Sequence, residues 1–250
     1  MRTPNEPAWS QTQLASDPHA AADKPERVRS MFAAIAPAYD LNNRLHSMWR
    51  DQAWRRFAVR KSGLKPGETV IDVACGTGDL SLAFARAGAG RVIGIDFTLE
   101  MLHVARERKA DPRITYVQGD AQSLPLADAC ADVVSIAFGI RNVQDVDRAL
   151  SEFRRVLRAG GRLVVLEFCE PRNPLVRWFN NFYCRQIMPR TATWISGDRS
   201  GAYKYLPRSV ETFLSPEQLR GKIESAGFAD TRFNPLTLGI CGCTVAIAKQ

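Results

Sequence analysis

The sequence predicts a single α/β domain, built on a mostly parallel, seven-stranded sheet with helices on both faces. Two observations carry this. From Glu68 onward, short runs rich in Val, Ile and Leu alternate with segments of helical period. The helical segments are closed or interrupted by Gly88 and Gly160-Gly161, the punctuation of a strand-helix-strand chain. In order, "ETVIDVA" is a strand, "DLSLAFARAG" a helix, "RVIGIDF" a strand, "TLEMLHVARERKA" a helix that Thr98 would cap, and "ITYVQGDA" and "DVVSIAF" strands. "DVDRALSEFRRVL" is the next helix and "RLVVLEF" the fifth strand; "SPEQLRGKIESAGF" has the Ser-Pro-Glu start of a helix, and two strands end the chain.

Around this core the pattern divides the chain into a disordered tail (1–26), a helical cap (27–62) broken at Pro37, the core itself (63–170), a lid (171–214), and a C-terminal helix with strands (215–250). At 250 residues and 45% hydrophobic, the chain can bury one substantial core. The tail has no apolar stretch of secretory type. No run of about eighteen apolar residues is available to span a bilayer. Six scattered cysteines read as reduced, small hydrophobes of a cytoplasmic protein, and Cys241-x-Cys243 has neither a CxxC nor a downstream His to complete a metal site, so no metal is expected. The net charge of +8 leaves nucleic acid, an anionic membrane surface and an anionic small molecule open as partners.

"VIDVACGTGDL" places Asp72, Gly76, Thr77 and Gly78 at the turn from first strand to first helix, where open α/β sheets hold ligands. The dinucleotide pattern fails, since Ser81 stands where its third glycine belongs, and no Gly-Lys-Ser/Thr makes a phosphate loop. Asp72 and Asp79 flank the loop and would repel a pyrophosphate, so a cationic, phosphate-free ligand suits it better. Asp96, twenty residues past Gly76 and followed by Phe97, stands where a ribose needs an acceptor. Asp120-Ala121, at the end of the third strand, can meet an adenine edge. In this order and spacing the pieces resemble the Rossmann-like class I S-adenosylmethionine-dependent methyltransferases.

"YDLNNRL", "CGTGDL", "FGIRNV", "RVLRAGGRLVVLEF" and "MPR" narrow the resemblance to the ubiquinone/menaquinone biosynthesis C-methyltransferase family, over roughly residues 27–249. It implies S-adenosyl-L-methionine as cofactor, held by Thr77, Asp96, Asp120 and Ala121 together with Asp72, Gly76, Gly78 and Phe97. The implied substrate is a polyprenylated quinol. Demethylmenaquinol is preferred because the lid looks more like menaquinone-type members, with a benzoquinol of ubiquinone biosynthesis as the alternative. Some members have Ser before Phe-Gly; Ala137 here removes that hydroxyl. A homodimer is a further implication.

Arg141 follows a run buried on both faces, and a guanidinium is rarely buried unless paired. By the resemblance Arg141 meets the quinol and, with the Asn142 amide, stabilises the phenolate that forms when the hydroxyl gives up its proton. Water or hydroxide takes that proton, because free arginine stays protonated below pH ~12. Tyr39 and Asn43 close over the site from the cap. The alternative is an ordinary ion pair of Arg141 with Asp145 or Asp147. None of the three histidines has a partner that points to catalysis.

Residues 174–195 combine Trp178, Phe179, Phe182, Tyr183 and Trp194 with Arg177, Arg185 and Arg190. They read as a packed lid, as an RNA-binding face, or as a segment on a membrane surface that also walls a prenyl channel. No dense Lys/Arg stretch interleaved with aromatics occurs, so nucleic acid is not expected, and a peripheral membrane location is. A non-catalytic scaffold is the other rival. Intact Asp72, Gly76, Gly78 and Asp96 argue against it.

Overall fold

The computed structural model describes residues 8–10, 13–14, 16–196 and 200–249. Its seven strands form one sheet in the order β3-β2-β1-β4-β5-β7-β6. The five parallel strands are β1 (Thr69–Val73), β2 (Arg91–Asp96), β3 (Ile114–Gln118), β4 (Ala131–Ala137) and β5 (Leu157–Phe168). Chain reversal then makes β6 (Phe228–Leu236) and β7 (Cys241–Ala248) a hairpin, with β7 antiparallel to β5. Val, Ile and Leu on the central strands are buried on both faces, as a helix-covered parallel sheet requires. β5 begins five residues before the predicted strand, because Leu157 already pairs with Ala131, and a bulge between Ala131 and Val133 resets the register. The thiols of Cys241 and Cys243 are buried on β7, and burial pushes Cys243 up to about 12, so both stay protonated.

The cap consists of α1 (Lys24–Ile35), a 3₁₀ turn at Ala36–Ala38 containing Pro37, α2 (Tyr39–His46) and α3 (Arg50–Lys61). The sheet helices are α4 (Asp79–Arg86), α5 (Leu99–Arg108) and α6 (Val146–Val156). The lid carries α7 (Pro174–Phe182), a π turn, α8 (Met188–Ser196) and α9 (Ala202–Glu211); α10 (Pro216–Ser225) starts at a Ser215–Gln218 capping box.

The predicted disordered tail is corrected over its described part. Trp9 is buried and stacks on Tyr205 of α9 with ring centroids 4.7 Å apart. Pro18–Ala20 forms a 3₁₀ turn, and His19 Nε2 shares a 2.9 Å hydrogen bond with the Ser209 carbonyl. A tryptophan buries enough apolar area to order a short segment when a ring lies opposite. That ring is 196 residues away in the chain, beyond the reach of composition. The expectation for residues 1–7, 11–12 and 15 lies outside the described residues.

Candidate active site

Parallel strands bring their carboxyl ends to one edge of the sheet, and two adjoining cavities open there. The cavity over β1 and β2 is lined by Gly76, Asp96, Phe97, Asp120, Ala121 and Asn142 among others. Gly76 and Gly78 both have positive φ, +55° and +85°, and a Cβ on Gly78 would meet the Tyr116 hydroxyl at 2.3 Å, so glycine is required there. The Asp96 carboxylate accepts from the Gly76 N–H at 2.7 Å and from the Thr98 N–H at 2.8 Å. A carboxylate has about four lone-pair sites, so it can also take part in holding a ribose hydroxyl. Burial raises the Asp96 carboxyl, and those backbone donors work in the opposite direction.

Asp72, Thr77 and Gly78 stand behind this cavity surface. Asp72 accepts from Ser81 Oγ at 2.6 Å and Ser135 Oγ at 2.8 Å, and burial pushes its carboxyl up to about 6. Thr77 Oγ1 donates to Asp40 of the cap at 2.5 Å. Lys109 ties the same Asp40 (2.9 Å) to Asp79 (2.7 Å). The charge of Asp79 is therefore met within the protein, which corrects its expected part in repelling phosphate. Burial opposes ionisation of Asp79, but Arg55, Lys109 and Arg44 together hold its carboxyl below the usual range. What excludes a pyrophosphate is the lining, which carries Asp96 and Asp120 but neither Lys nor Arg. This donor set fits S-adenosylmethionine: carboxylates for the ribose, an Asp-Ala pair for the adenine, and no counter-ion for a phosphate.

The second cavity, between cap and lid, is mostly apolar, with Met31, Phe32, Ile35, Trp54, Phe168 and Met188 in its wall. Tyr39, Phe32 and Phe138 line both cavities and form their common boundary. Burial raises the Tyr39 hydroxyl, so it stays protonated. Asn43 faces the apolar cavity.

Arg141 lines the apolar cavity and Asn142 the polar one. The 3₁₀ turn at Ile140–Asn142 after β4 points them to opposite sides of the junction. Neither candidate partner for Arg141 proved correct. Asp145 caps α6 by accepting from the Arg148 N–H, and Asp147 pairs with Lys222 at 2.6 Å. Arg141 Nη1 instead donates to Glu167 Oε1 at 2.6 Å and to the Phe138 carbonyl at 2.7 Å, while Nε donates to Ser209 Oγ at 3.3 Å. Tyr205 donates to Asn142 Oδ1 at 3.0 Å. Glu167, Ser209 and Tyr205 were absent from the sequence reading. A lone carboxylate in "VVLEF" was the available signal for Glu167; nothing in the lid sequence marked the other two.

A carboxylate-lined, cation-free cavity at the carboxyl edge of this strand order defines the class: S-adenosylmethionine-dependent methyltransferases. Solved structures agree on the fold, among them a Thermotoga maritima S-adenosylmethionine-dependent methyltransferase (TM-score 0.62, 20% identity, 88% of this chain and 99% of that one). A Haemonchus contortus phosphoethanolamine N-methyltransferase 2 in complex with S-adenosyl-L-methionine gives 0.61 at 18% identity, over 81% and 53%. The model of the ubiE/COQ5 methyltransferase family matches residues 20–248, and the chain belongs to that family. Relatives include a ubiquinone/menaquinone biosynthesis C-methyltransferase of Geobacter sp. (strain M21), 42% identical over 89% of this chain and 96% of the relative. A demethylmenaquinone methyltransferase of Deinococcus radiodurans is also 42% identical, over 89% and 93%.

Asp96→Ala is expected to weaken cofactor binding by about 1.5–3 kcal/mol, the value of hydrogen bonds to a charged acceptor. Calorimetry with S-adenosylmethionine checks this, and unchanged affinity with normal melting would remove Asp96 from the ribose site.

Proposed function

We propose that the enzyme methylates a ring carbon of a polyprenylated quinol, demethylmenaquinol in the first place. One observation carries this reading. The apolar cavity presents a buried, immobilised guanidinium, and Arg141 Nη2 has no hydrogen-bond partner among the described residues. Those N–H groups can hold the oxygen of a quinol as it loses its proton. Since arginine remains protonated, a water takes the hydroxyl proton and Arg141 holds the phenolate; once the ring carbon has taken the methyl group, its own proton leaves and the oxygen is reprotonated, which restores the aromatic quinol. When bound, the cofactor supplies an electrophilic methyl group. Phe32, Tyr39 and Phe138 confine the ring at the boundary between the cavities. Asn142, held by Tyr205, orients the polar side of that boundary.

The Deinococcus relative, named for demethylmenaquinone, supports the naphthoquinol, whereas the Geobacter relative is named for both quinones. Methyl transfer to reduced demethylmenaquinone and to a demethylated benzoquinol, measured side by side, is the test. Turnover of the benzoquinol alone would reverse the assignment, and turnover of neither would end it.

A lipid-tailed substrate has to be collected from a bilayer, and the lid has a surface for it. No residue of α7 is buried: Leu175, Trp178, Phe179 and Phe182 are exposed, as are Leu41, Leu45, Met48 and Trp49 of the cap. The basic part of the expectation is weaker for two of its three arginines, since Arg177 and Arg185 pair with Glu170 and Glu211, whereas Arg190 bonds Gln186. Apolar insertion thus carries most of the contact. No helix among the described residues is long and apolar enough to cross the membrane. Co-sedimentation with phosphatidylcholine vesicles is expected to fall several-fold in Trp178→Ser/Phe182→Ser; unchanged binding would exclude this face. The expected homodimer would use the same apolar face, and sedimentation velocity without lipid would report it.

A further inference from the structure

Two charged side chains at the ends of neighbouring strands explain how one arginine edge is left facing the cavity. Ala137 of β4 pairs with Leu166 of β5, so Glu167 lies beside the turn that carries Arg141. Both side chains are 4% exposed. Glu167 does not line the apolar cavity, while Arg141 does. The carboxylate is itself fixed by backbone: Oε1 accepts from the Phe168 N–H at 2.8 Å, and Oε2 from the Arg141 N–H at 3.4 Å.

We infer that Glu167 is the positioning residue for Arg141: it clamps Nη1 so that Nη2 faces the quinol oxygen, and its charge offsets that of the guanidinium. This rests on the reading of Arg141 given above. Every other donor direction of the guanidinium is spoken for. Nη1 is divided between Glu167 and the Phe138 carbonyl, Nε goes to the lid at Ser209, and the ring of Phe168 covers a face at 5.5 Å. Only Nη2 remains for a ligand. Rotation of the fork about its stem would bring a filled edge to the cavity instead. An arginine without a carboxylate opposite would also hold the phenolate more strongly than the neutral quinol at every pH. The pair keeps that preference moderate, so that an anion is stabilised as it forms.

Glutamine in place of Glu167 removes the charge and sets its amide N–H against existing donors: Arg141 Nη1 and the Phe168 N–H in one orientation, the Arg141 N–H in the other. Aspartate keeps the charge and withdraws it by one methylene. The variants Glu167→Gln and Glu167→Asp are assayed with a short-chain, reduced demethylnaphthoquinol across pH, beside Arg141→Met and the double variant Arg141→Met/Glu167→Gln.

Glu167→Gln is expected to lower kcat about 10–100-fold, the scale of a displacement near 1 Å. Quinol KM and calorimetric affinity for S-adenosylmethionine should stay within about threefold, because Glu167 reaches neither ligand. The rising limb of kcat should move to lower pH, since a negative charge no longer opposes the phenolate. Glu167→Asp should recover part of kcat with the limb unmoved. The double variant, in which neither charge is left unpaired, should match the kcat of Arg141→Met. A further loss in the double variant, or activity that falls only with the folded fraction while the pH limb stays in place in both single variants, would overturn the assignment. If Arg141→Met itself turns over normally, it is the reading of Arg141 that fails, and Glu167 with it.

Discussion

Arg141→Met should lower kcat by about 10²–10³, the loss that follows removal of one donor to a developing anion. Its melting temperature should fall as well, because the substitution strands Glu167, a carboxylate that burial already pushes upward against the opposing pull of Arg141. Breaking a buried ion pair from one side destabilises by about 3–5 kcal/mol. Activity and stability are therefore confounded in the single variant. Arg141→Met/Glu167→Gln separates them, since removing both charges should restore most of the melting temperature without restoring kcat. Arg141→Lys should retain the charge opposite Glu167 but rescue kcat only partly, because an ammonium cannot bond Glu167, the Phe138 carbonyl and a substrate oxygen with a planar fork. Steady-state rates on the reduced naphthoquinol with thermal melting decide the matter. A double variant with near-normal kcat would defeat the catalytic assignment.

The oxidised quinone should not be methylated at all, while the quinol of the same compound turns over. A quinone has no hydroxyl proton to lose, so no phenolate forms for Arg141 to hold, and its ring carbon is electron-poor where it must be a nucleophile. Binding need not discriminate: the wall of Met31, Phe32, Ile35 and Trp54 meets the apolar body of either redox form. The quinone should therefore compete with the quinol for the site without being turned over. Assays of the quinol under strict exclusion of oxygen, and of the quinone under strict exclusion of reductant, give the answer. Equal turnover would sink the phenolate mechanism.

The architecture was legible because its signals are local and periodic. Runs dominated by Val, Ile and Ala in "ETVIDVA" and "DVVSIAF" read as strands buried on both faces, and the Gly76-Thr77-Gly78 turn between strand and helix sets the ligand at the sheet's carboxyl edge. Asp96, Phe97, Asp120 and Ala121 come together around one cavity for the same reason, since strand ends in a parallel sheet must converge. The anomaly of a buried arginine after β4 was equally visible. Nearness in the chain points to Asp145 and Asp147 at the next helix as its partners, whereas the carboxylate that meets it, Glu167, stands on a neighbouring strand.

What only the tertiary structure decided depends on contacts between distant segments. The β4–β5 register sets Glu167 against Arg141 across 26 positions, and α9 folds back to bring Ser209 and Tyr205 onto Arg141 and Asn142. The lid in turn gives Trp9 its ring, ordering part of a segment that composition assigned to disorder. Thr77 and Asp72, chemically able to meet a ligand, are drawn away by Asp40, Ser81 and Ser135. Periodicity tells a residue which face it is on; which polar group is spent on the protein itself, and which is left for a ligand, is settled only when every buried donor and acceptor finds its partner in space.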